Sequence, residues 1–131
     1  MILKFEKYQG AGNDFIIIDA TNQRVNLTTE QVKFLCDRRF GIGADGLMII
    51  EPSKEYDFEM DYYNSDGIKA SMCGNGGRCI ANFAFNHKIA TDKMNFKAVA
   101  APSSIIFSTP CVLPPSAVAM KVIESGMSRF F

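Results

Sequence analysis

The sequence predicts an α+β fold in which most segments form strands and two form helices. Three observations predict it. Strand-like alternation or apolar β-branched runs recur along the chain, one stretch carries a helix-capping signal, and another has helical apolar spacing. With 131 residues the chain fits one ordinary domain that buries roughly two-thirds of its unfolded surface.

The N-terminal part predicts two strands joined by a glycine turn. ILKFEKY alternates apolar and polar residues, and DFIIID is an apolar β-branched run. QGAGND lies between them and is rich in turn-forming residues. We therefore expect two adjacent strands connected by a loop that is suited to a functional role.

A first helix is predicted over about residues 29–39. Thr28 and Gln31 have the spacing of a capping box, and Gly41 is expected to end the helix. Its apolar stripe consists of Val32, Leu35 and Cys36. GIGADG then forms a second glycine loop, and LMIIE is predicted as a strand.

The middle of the chain predicts a hairpin followed by a second helix. YDFEMDYYNSDG alternates and ends in a strong turn signal, and GIKASM is short enough to be the return strand. CGNGGRCIANFAFNHK has helical spacing, and KMNFKAVA predicts one more strand. The apolar positions of this helix are Cys79, Ile80, Phe83 and Ala84. We expect the phenylalanines to lie in the core.

The composition changes near residue 100. Residues 102–131 hold four of the five prolines but only three charged residues, against 25 in the first 101. We therefore expect a domain over residues 1–100 and an atypical, apolar tail over residues 101–131, with a strand at 105–109 and a weaker element at 118–123. Exposure of such a tail would favour aggregation.

Charge and composition exclude several classes of function. The chain has 14 basic and 14 acidic residues, so neither nucleic acid nor an anionic membrane is an expected partner. No apolar run approaches the ~20 residues of a membrane span, which predicts a cytoplasmic protein with free thiols. One histidine and no clustered ligands predict no metal site. Neither glycine loop has a dinucleotide or P-loop pattern.

Cys73 is the candidate reactive residue, because it stands where a predicted strand changes into a predicted helix. The positive end of a helix dipole lowers the pKa of a nearby thiol. The backbone N–H groups of Gly74 and Asn75 could bind a carboxylate there and bring a substrate Cα close to the sulfur. The alternative for Cys73 is a buried thiol at a strand end. We expect a structural role as well for Cys36 and Cys79, on apolar helix faces, and for Cys111, between prolines of the tail.

Two asparagines in glycine turns are further candidates for the site. The side chains of Asn13 and Asn64 can donate and accept hydrogen bonds, which suits an amino acid head group. Their alternative role is to bond their own turn backbone. His87 is expected to be a solvated residue of the last helical turn.

Four segments together resemble the N-terminal half of the diaminopimelate epimerases. They are YQGAGNDFIIID, CDRRFGIGADGLMIIEP, YYNSDGIKASMCGNGGRC and MNFKAVA, in the family's order, over about residues 3–99. Clusters like MCGNG also occur in the related proline racemases. The resemblance is therefore specific only when the four segments are taken together. The resemblance implies a half-domain with a curved mixed sheet around a central helix.

The resemblance also implies a function without pyridoxal phosphate or another cofactor. Family members interconvert LL- and meso-diaminopimelate for lysine and peptidoglycan precursors, using two cysteines on opposite faces of the substrate Cα. Cys73 matches the first of these. Asn13 and Asn64 match substrate-contacting asparagines, and Gly74 and Asn75 match the backbone donors to the reacting carboxylate.

The chain departs from the family after residue 100. The family's second domain, with its own cysteine in an ACGSG-like turn, has no counterpart here, and Cys111 in TPCVLPP has no glycine turn. We therefore expect a truncated or frame-shifted sequence that is inactive alone and exposes half a pocket, which favours self-association or a homodimer. The alternative is a fragment that binds amino acid carboxylates weakly at most.

Overall fold

The computed structural model describes residues 3–71, 74–99, 104–110 and 118–125. Its elements are β1 (Leu3–Gly10), β2 (Asn13–Asp19), α1 (Thr29–Cys36), β3 (Gly46–Glu51), β4 (Phe58–Asn64), α2 (Gly74–Asn86), β5 (Lys93–Val99), β6 (Ser104–Pro110) and β7 (Val118–Ser125). The seven strands form one sheet in the order β6-β5-β4-β3-β2-β1-β7. The predicted α+β class is confirmed.

The sheet is mixed because two of its six pairings are parallel. β2 runs parallel to β3 and β4 runs parallel to β5, whereas the other neighbouring pairs are antiparallel. β1 and β2 form a hairpin whose two-residue turn, Ala11 and Gly12, has positive φ at both positions. A turn of this kind matches the right-handed twist of the strands that it joins.

The first helix begins where the sequence predicts and ends earlier. The capping box between Thr28 and Gln31 is present, which confirms the predicted start. The helix ends at Cys36 because Asp37 adopts an extended backbone and its carboxylate accepts the N–H groups of Arg39 and Phe40. The predicted end near residue 39, with Gly41 as the stop, is therefore wrong.

The predicted hairpin after β4 is reduced to its turn. Gly67 donates its N–H to the carbonyl of Asn64, which confirms the turn, but the return segment forms only a single bridge between Tyr63 and Lys69. The second helix, α2, begins at Gly74 as expected. Met72 and Cys73 lie outside the described residues.

Each face of the sheet has its own core and its own helix. One face packs against α2, with Tyr8, Phe15 and Tyr62 among its buried residues. The other packs against α1, with Phe5 and Ile16 among them. The four α2 positions that the spacing predicts, Cys79, Ile80, Phe83 and Ala84, are all buried, and Gly76 and Ala81 are buried beside them.

Two phenylalanines depart from the predicted core. Phe40 is 78% exposed and Phe85 is 47% exposed. Phe40 follows the last turn of α1, where the chain has already left the helix face that packs on the sheet. The hydrophobic character of phenylalanine was therefore not sufficient to predict burial at these two positions.

Two segments of the predicted tail occupy opposite edges of the sheet. β6 pairs with β5 and β7 pairs with β1, both antiparallel. The predicted strand at 105–109 is confirmed. The division into a domain over 1–100 and a tail over 101–131 stays a prediction.

Ending the chain after Val99 is expected to promote self-association. This truncation removes the strands that pair with β1 and β5, and an unpaired edge offers N–H and C=O groups to another chain. We expect an apparent mass at least about twofold higher by light scattering than that of the intact chain. A chain ending after Pro110, which keeps β6, should show a smaller increase. Identical masses for all three would contradict the edge role of β6 and β7.

Candidate active site

One end of the sheet gathers the predicted site residues that the structure describes. Gly10, the last residue of β1, pairs with Asn13, the first residue of β2. Asn64, the last residue of β4, pairs with Gly46, the first residue of β3. Four neighbouring strands thus start or end at this edge.

Asn13 and Asn64 belong to the face of the sheet that packs against α2. Alternate residues of a strand share one face, so Asn13 has the orientation of buried Phe15, and Asn64 has that of buried Tyr62. Strand spacing and rise place their Cα atoms roughly 12 Å apart. The Asn13 and Asn64 side chains therefore border the same region on the α2 face of the sheet, but they are too far apart to contact each other.

The first turn of α2 closes one side of this region. A Cβ atom at Gly10 would lie 3.5 Å from the side chain of Asn75, an ordinary van der Waals distance, so the helix start lies directly against the end of β1. The Nδ2 atom of Asn75 lies 3.5 Å from the Oδ1 atom of Asn13. The structure thus brings Asn13, Gly74 and Asn75 together, with Asn64 two strands away.

The two cysteines that the structure describes have the structural role that the sequence predicts. Cys36 and Cys79 are buried thiols, and burial raises the pKa of the Cys36 thiol to about 11. Their predicted structural role is confirmed. Cys73 directly precedes Gly74 in the sequence but lies outside the described residues, so its catalytic role stays a prediction. Cys111 lies outside them too.

A charged network that sequence reasoning missed supports the β1–β2 hairpin. The Asp14 carboxylate accepts hydrogen bonds from Lys7 Nζ at 2.6 Å and from two nitrogens of Arg38 at 2.7 and 3.1 Å. Arg38 also donates to Asp45 Oδ1 at 3.0 Å. Asp45 Oδ2 in turn accepts from the Asn13 side chain at 2.7 Å. Asp45 therefore connects this network on the α1 side to the candidate site on the α2 side.

The sequence did carry a signal for this network. Both glycine loops, GAGND and GIGAD, end in an aspartate at the start of a strand of the parallel pair: Asp14 is the second residue of β2, and Asp45 directly precedes β3. Neighbouring parallel strands start at the same edge of a sheet. The parallel pairing of β2 with β3 therefore brings Asp14 and Asp45 close together. Two adjacent carboxylates require cations, and Lys7 and Arg38 provide them.

Asp14 is held in its charged form. Burial by itself would raise the pKa of this carboxyl, but the hydrogen bonds and charges of Arg38 and Lys7 hold it well below its usual range. The same contact with Asp14 raises the pKa of the Arg38 guanidinium. The Asp14–Arg38 pair thus stays ionic throughout the physiological pH range.

Asp14→Asn is expected to destabilise the protein at pH 7 by about 1–2 kcal/mol, after allowance for solvent screening. The folded-state pKa of Asp14 is lowered, so its contribution is present above the unfolded value of about 3.9 and is lost as the pH falls toward the folded value. Urea unfolding at pH 7 and pH 2.5 should therefore show a smaller difference from wild type at pH 2.5. Asp92→Asn, in an exposed loop, serves as control; an Asp14→Asn deficit that is constant with pH would contradict the assignment.

His87 is exposed, as the sequence predicts, and it also has a partner on the sheet. Its Nε2 atom lies 2.6 Å from Glu6 Oε1, and its ring stacks on Phe83 with centroids 4.1 Å apart. Glu6 lies on β1, on the face that packs against α2, so this pair ties the last turn of the helix to the sheet. The contact spans 81 residues of sequence, and no local pattern could predict it.

Two classes of site have no support in the described part of the chain. Residues 3–71 and 74–99 contain no group of three or more His, Cys, Asp and Glu side chains able to hold a metal ion. Neither α1 nor α2 is long and apolar enough to cross a membrane.

Comparisons with known sequences identify a family. A family model described as Diaminopimelate epimerase matches residues 5–107. A curated diaminopimelate epimerase of Flavobacterium psychrophilum is 52% identical over 98 residues, which cover 74% of this chain and 38% of the relative. One of Helicobacter pylori strain Shi470 is 40% identical over 121 residues, covering 92% and 44%. The chain thus spans about two-fifths of the length of these relatives.

Solved structures share the fold at low sequence identity. The methylitaconate Δ-isomerase structure is 15% identical, with a TM-score of 0.58, and the match covers 81% of this chain and 58% of that one. A Bacillus anthracis protein of the PhzF family is also 15% identical, with a TM-score of 0.59 and coverage of 82% and 36%. At these identities the likeness concerns the fold.

Proposed function

This chain belongs to the diaminopimelate epimerase family, and we propose that it supplies one half of an active site converting LL-diaminopimelate to the meso form. The observation that carries the proposal is the grouping of Asn13, Gly74 and Asn75 at the start of α2, directly after Cys73 in the sequence. Asn64 borders the same region. The reaction would need no pyridoxal phosphate or other cofactor and would belong to cytoplasmic lysine synthesis.

The start of α2 is suited to hold the substrate carboxylate. The first turn of a helix has N–H groups without intrahelical partners and carries the positive end of the dipole. No acidic side chain lies in the first turn of α2. Gly74 has no side chain to block the approach to the backbone. We assign the α-carboxylate to the N–H groups of Gly74 and Asn75.

Proton transfer at the substrate Cα is then assigned to Cys73. With the carboxylate on Gly74 and Asn75, the Cα would lie next to the preceding residue of the chain. A Cys73 thiolate would remove the α-proton, and the electron pair left on carbon would delocalise into the carboxylate. Inversion then requires a proton delivered to the opposite face by a second acid.

We propose that this second acid belongs to a part of the family protein outside residues 1–100. The relatives are more than twice as long as the segments aligned with this chain. The remaining substrate ligands would come from the same part. The chain alone would then exchange an α-proton on one face but invert the substrate poorly.

The proposed division of the chain follows from the same argument. Residues 1–100 would form the epimerase-like half, and residues 101–131 would be an atypical segment, although the family match extends to residue 107. Sequencing the source DNA around codon 100 tests this. An intact reading frame without downstream second-domain coding sequence would contradict it.

A second candidate function is a non-catalytic fragment that binds amino acid carboxylates weakly. It is favoured by the same helix start, which needs no second thiol to hold an anion. A third is another cofactor-independent racemase, because MCGNG-like clusters also occur in proline racemases. Self-association, including a homodimer, is compatible with each of them.

Incubation of the intact chain with LL-diaminopimelate tests the proposal. We expect no meso product by chiral chromatography within a period in which a full-length relative completes the reaction. Proline and other amino acids in the same assay address the third candidate. Robust meso product that disappears in Cys73→Ala would refute the half-site.

A further inference from the structure

We propose that Asp45 and Arg78 are positioning residues that fix how the Asn13 and Asn75 amides face each other. The inference rests on the proposed function, because it assigns what these two amides offer to the head group of an amino acid. It concerns residues on three different elements: the β1–β2 hairpin, the loop before β3 and the first turns of α2.

Asp45 determines the orientation of Asn13. The Asn13 side chain donates from Nδ2 to Asp45 Oδ2 at 2.7 Å. At neutral pH a carboxylate only accepts hydrogen bonds, so the nitrogen end of the amide must face it. Asp45 is itself held by Arg38 and by the backbone N–H of Asp14, at 3.0 and 3.2 Å. The Oδ1 atom of Asn13 is therefore turned away, toward α2.

Arg78 determines the orientation of Asn75. Its guanidinium donates to Asn75 Oδ1, one turn earlier in the same helix. A guanidinium has no acceptor, so the oxygen end of the amide must face it. The Nδ2 atom of Asn75 is consequently turned toward Asn13.

The two amides therefore meet with a donor facing an acceptor. Asn75 Nδ2 and Asn13 Oδ1 are 3.5 Å apart, at the outer limit of a hydrogen bond. This is the longest contact in the series Arg78, Asn75, Asn13, Asp45, so it is the one that a ligand would replace. Without Asp45, the Asn13 amide could rotate by half a turn. Its Nδ2 N–H groups would then face the N–H groups of Asn75.

A donor next to an acceptor matches a zwitterionic amino acid head group. The ligand's carboxylate would lie on the Asn75 side, beside the N–H groups at the start of α2. Its ammonium group would donate to Asn13 Oδ1. By fixing the two amides in this way, Asp45 and Arg78 would favour the binding of an amino acid over that of a ligand that has a carboxylate but no ammonium group.

The first measurement needs no ligand. The intact chain is labelled with ¹⁵N-asparagine, and the side-chain amide signals are assigned with Asn13→Ser and Asn75→Ser. In Asp45→Ala we expect the Asn13 amide protons to exchange with water roughly tenfold faster, the effect of losing a hydrogen bond to a charged group. Asp57→Asn is the matched control, because that carboxylate accepts the N–H of Asn95 at 2.7 Å at the opposite end of β4.

A folded Asp45→Ala variant with unchanged Asn13 signals would overturn the inference. If the alanine variant does not fold, Asp45→Asn replaces it. An amide at position 45 can donate or accept, so we then expect two Asn13 orientations, seen as doubled or averaged signals. A single unchanged signal there would overturn the inference equally.

The second measurement compares LL-diaminopimelate with heptanedioate, which has the carboxylates but no amino groups. We expect Asp45→Ala to weaken the binding of LL-diaminopimelate about tenfold and to leave that of heptanedioate unchanged. Equal losses for both ligands would contradict the role of Asn13. If neither ligand bound to the wild-type chain, the proposed function would be contradicted. The amide exchange measurements made without ligand would still decide whether Asp45 orients Asn13.

Discussion

A chimera that joins residues 1–99 of this chain to the C-terminal part of the Flavobacterium psychrophilum relative is expected to epimerise LL-diaminopimelate. Cys73→Ala in this chimera should lower kcat by roughly 10²–10⁴-fold, the range for losing a positioned proton-transfer group. The relative is 52% identical over the aligned segment, so the interface between the halves should be compatible. Initial rates of meso formation provide the measurement.

Cys36→Ala is the matched control for the chimera. This thiol is buried on α1, and burial raises its pKa to about 11, so it has no access to substrate as a thiolate. We expect its kcat to remain within about twofold of the parent chimera. A Cys73→Ala chimera that retained the parent rate would remove Cys73 from the mechanism, whatever Cys36→Ala does.

Phe58→Ala is expected to have the largest effect on stability, about 3–5 kcal/mol. Phe58 is fully buried, and its ring stacks on Phe96 with centroids 4.6 Å apart. The two residues face each other across the parallel pair β4 and β5, so the change opens a cavity and removes an aromatic contact. Because a domain of this size is stable by only about 5–15 kcal/mol, this loss removes a large share of its stability. Urea denaturation followed by circular dichroism measures the loss.

Phe40→Ala provides the control for Phe58. Phe40 is 78% exposed, so its removal should change the free energy of unfolding by no more than about 0.5 kcal/mol. Similar losses for both variants would contradict the burial assigned to these two side chains.

Elements with a strong local signal were predictable from the sequence. The capping box of Thr28 and Gln31 fixed the start of α1, and the Asn64 to Gly67 turn ended β4 as expected. The end of α1 was missed because Asp37 bonds backbone N–H groups beyond the helix, and this competes with continued helix. The return strand predicted after β4 does not form in the described residues 67–71, because strand-like character still needs a continuous partner and the segment pairs only through the single bridge of Lys69 with Tyr63.

The grouping of Asn13 with Asn75 was predictable from the resemblance to the family, whereas the residues that hold these two side chains in place were not. Asn13 and Asn75 are 62 residues apart in sequence, and the motifs alone placed them in one site, where they do lie together. The positioning carboxylate of Asp45 depends on the parallel register of β2 and β3, a tertiary property that periodicity does not reveal. The contact of His87 with Glu6 depends in the same way on how α2 packs on β1.

The most direct test of the half-site compares isotope exchange with inversion. The intact chain is incubated with LL-diaminopimelate in heavy water, and α-deuterium and meso product are measured in the same sample. The account predicts Cys73-dependent entry of deuterium, with meso formation at least about 100-fold slower. Meso formation that kept pace with deuterium uptake, or an absence of Cys73-dependent uptake, would contradict it.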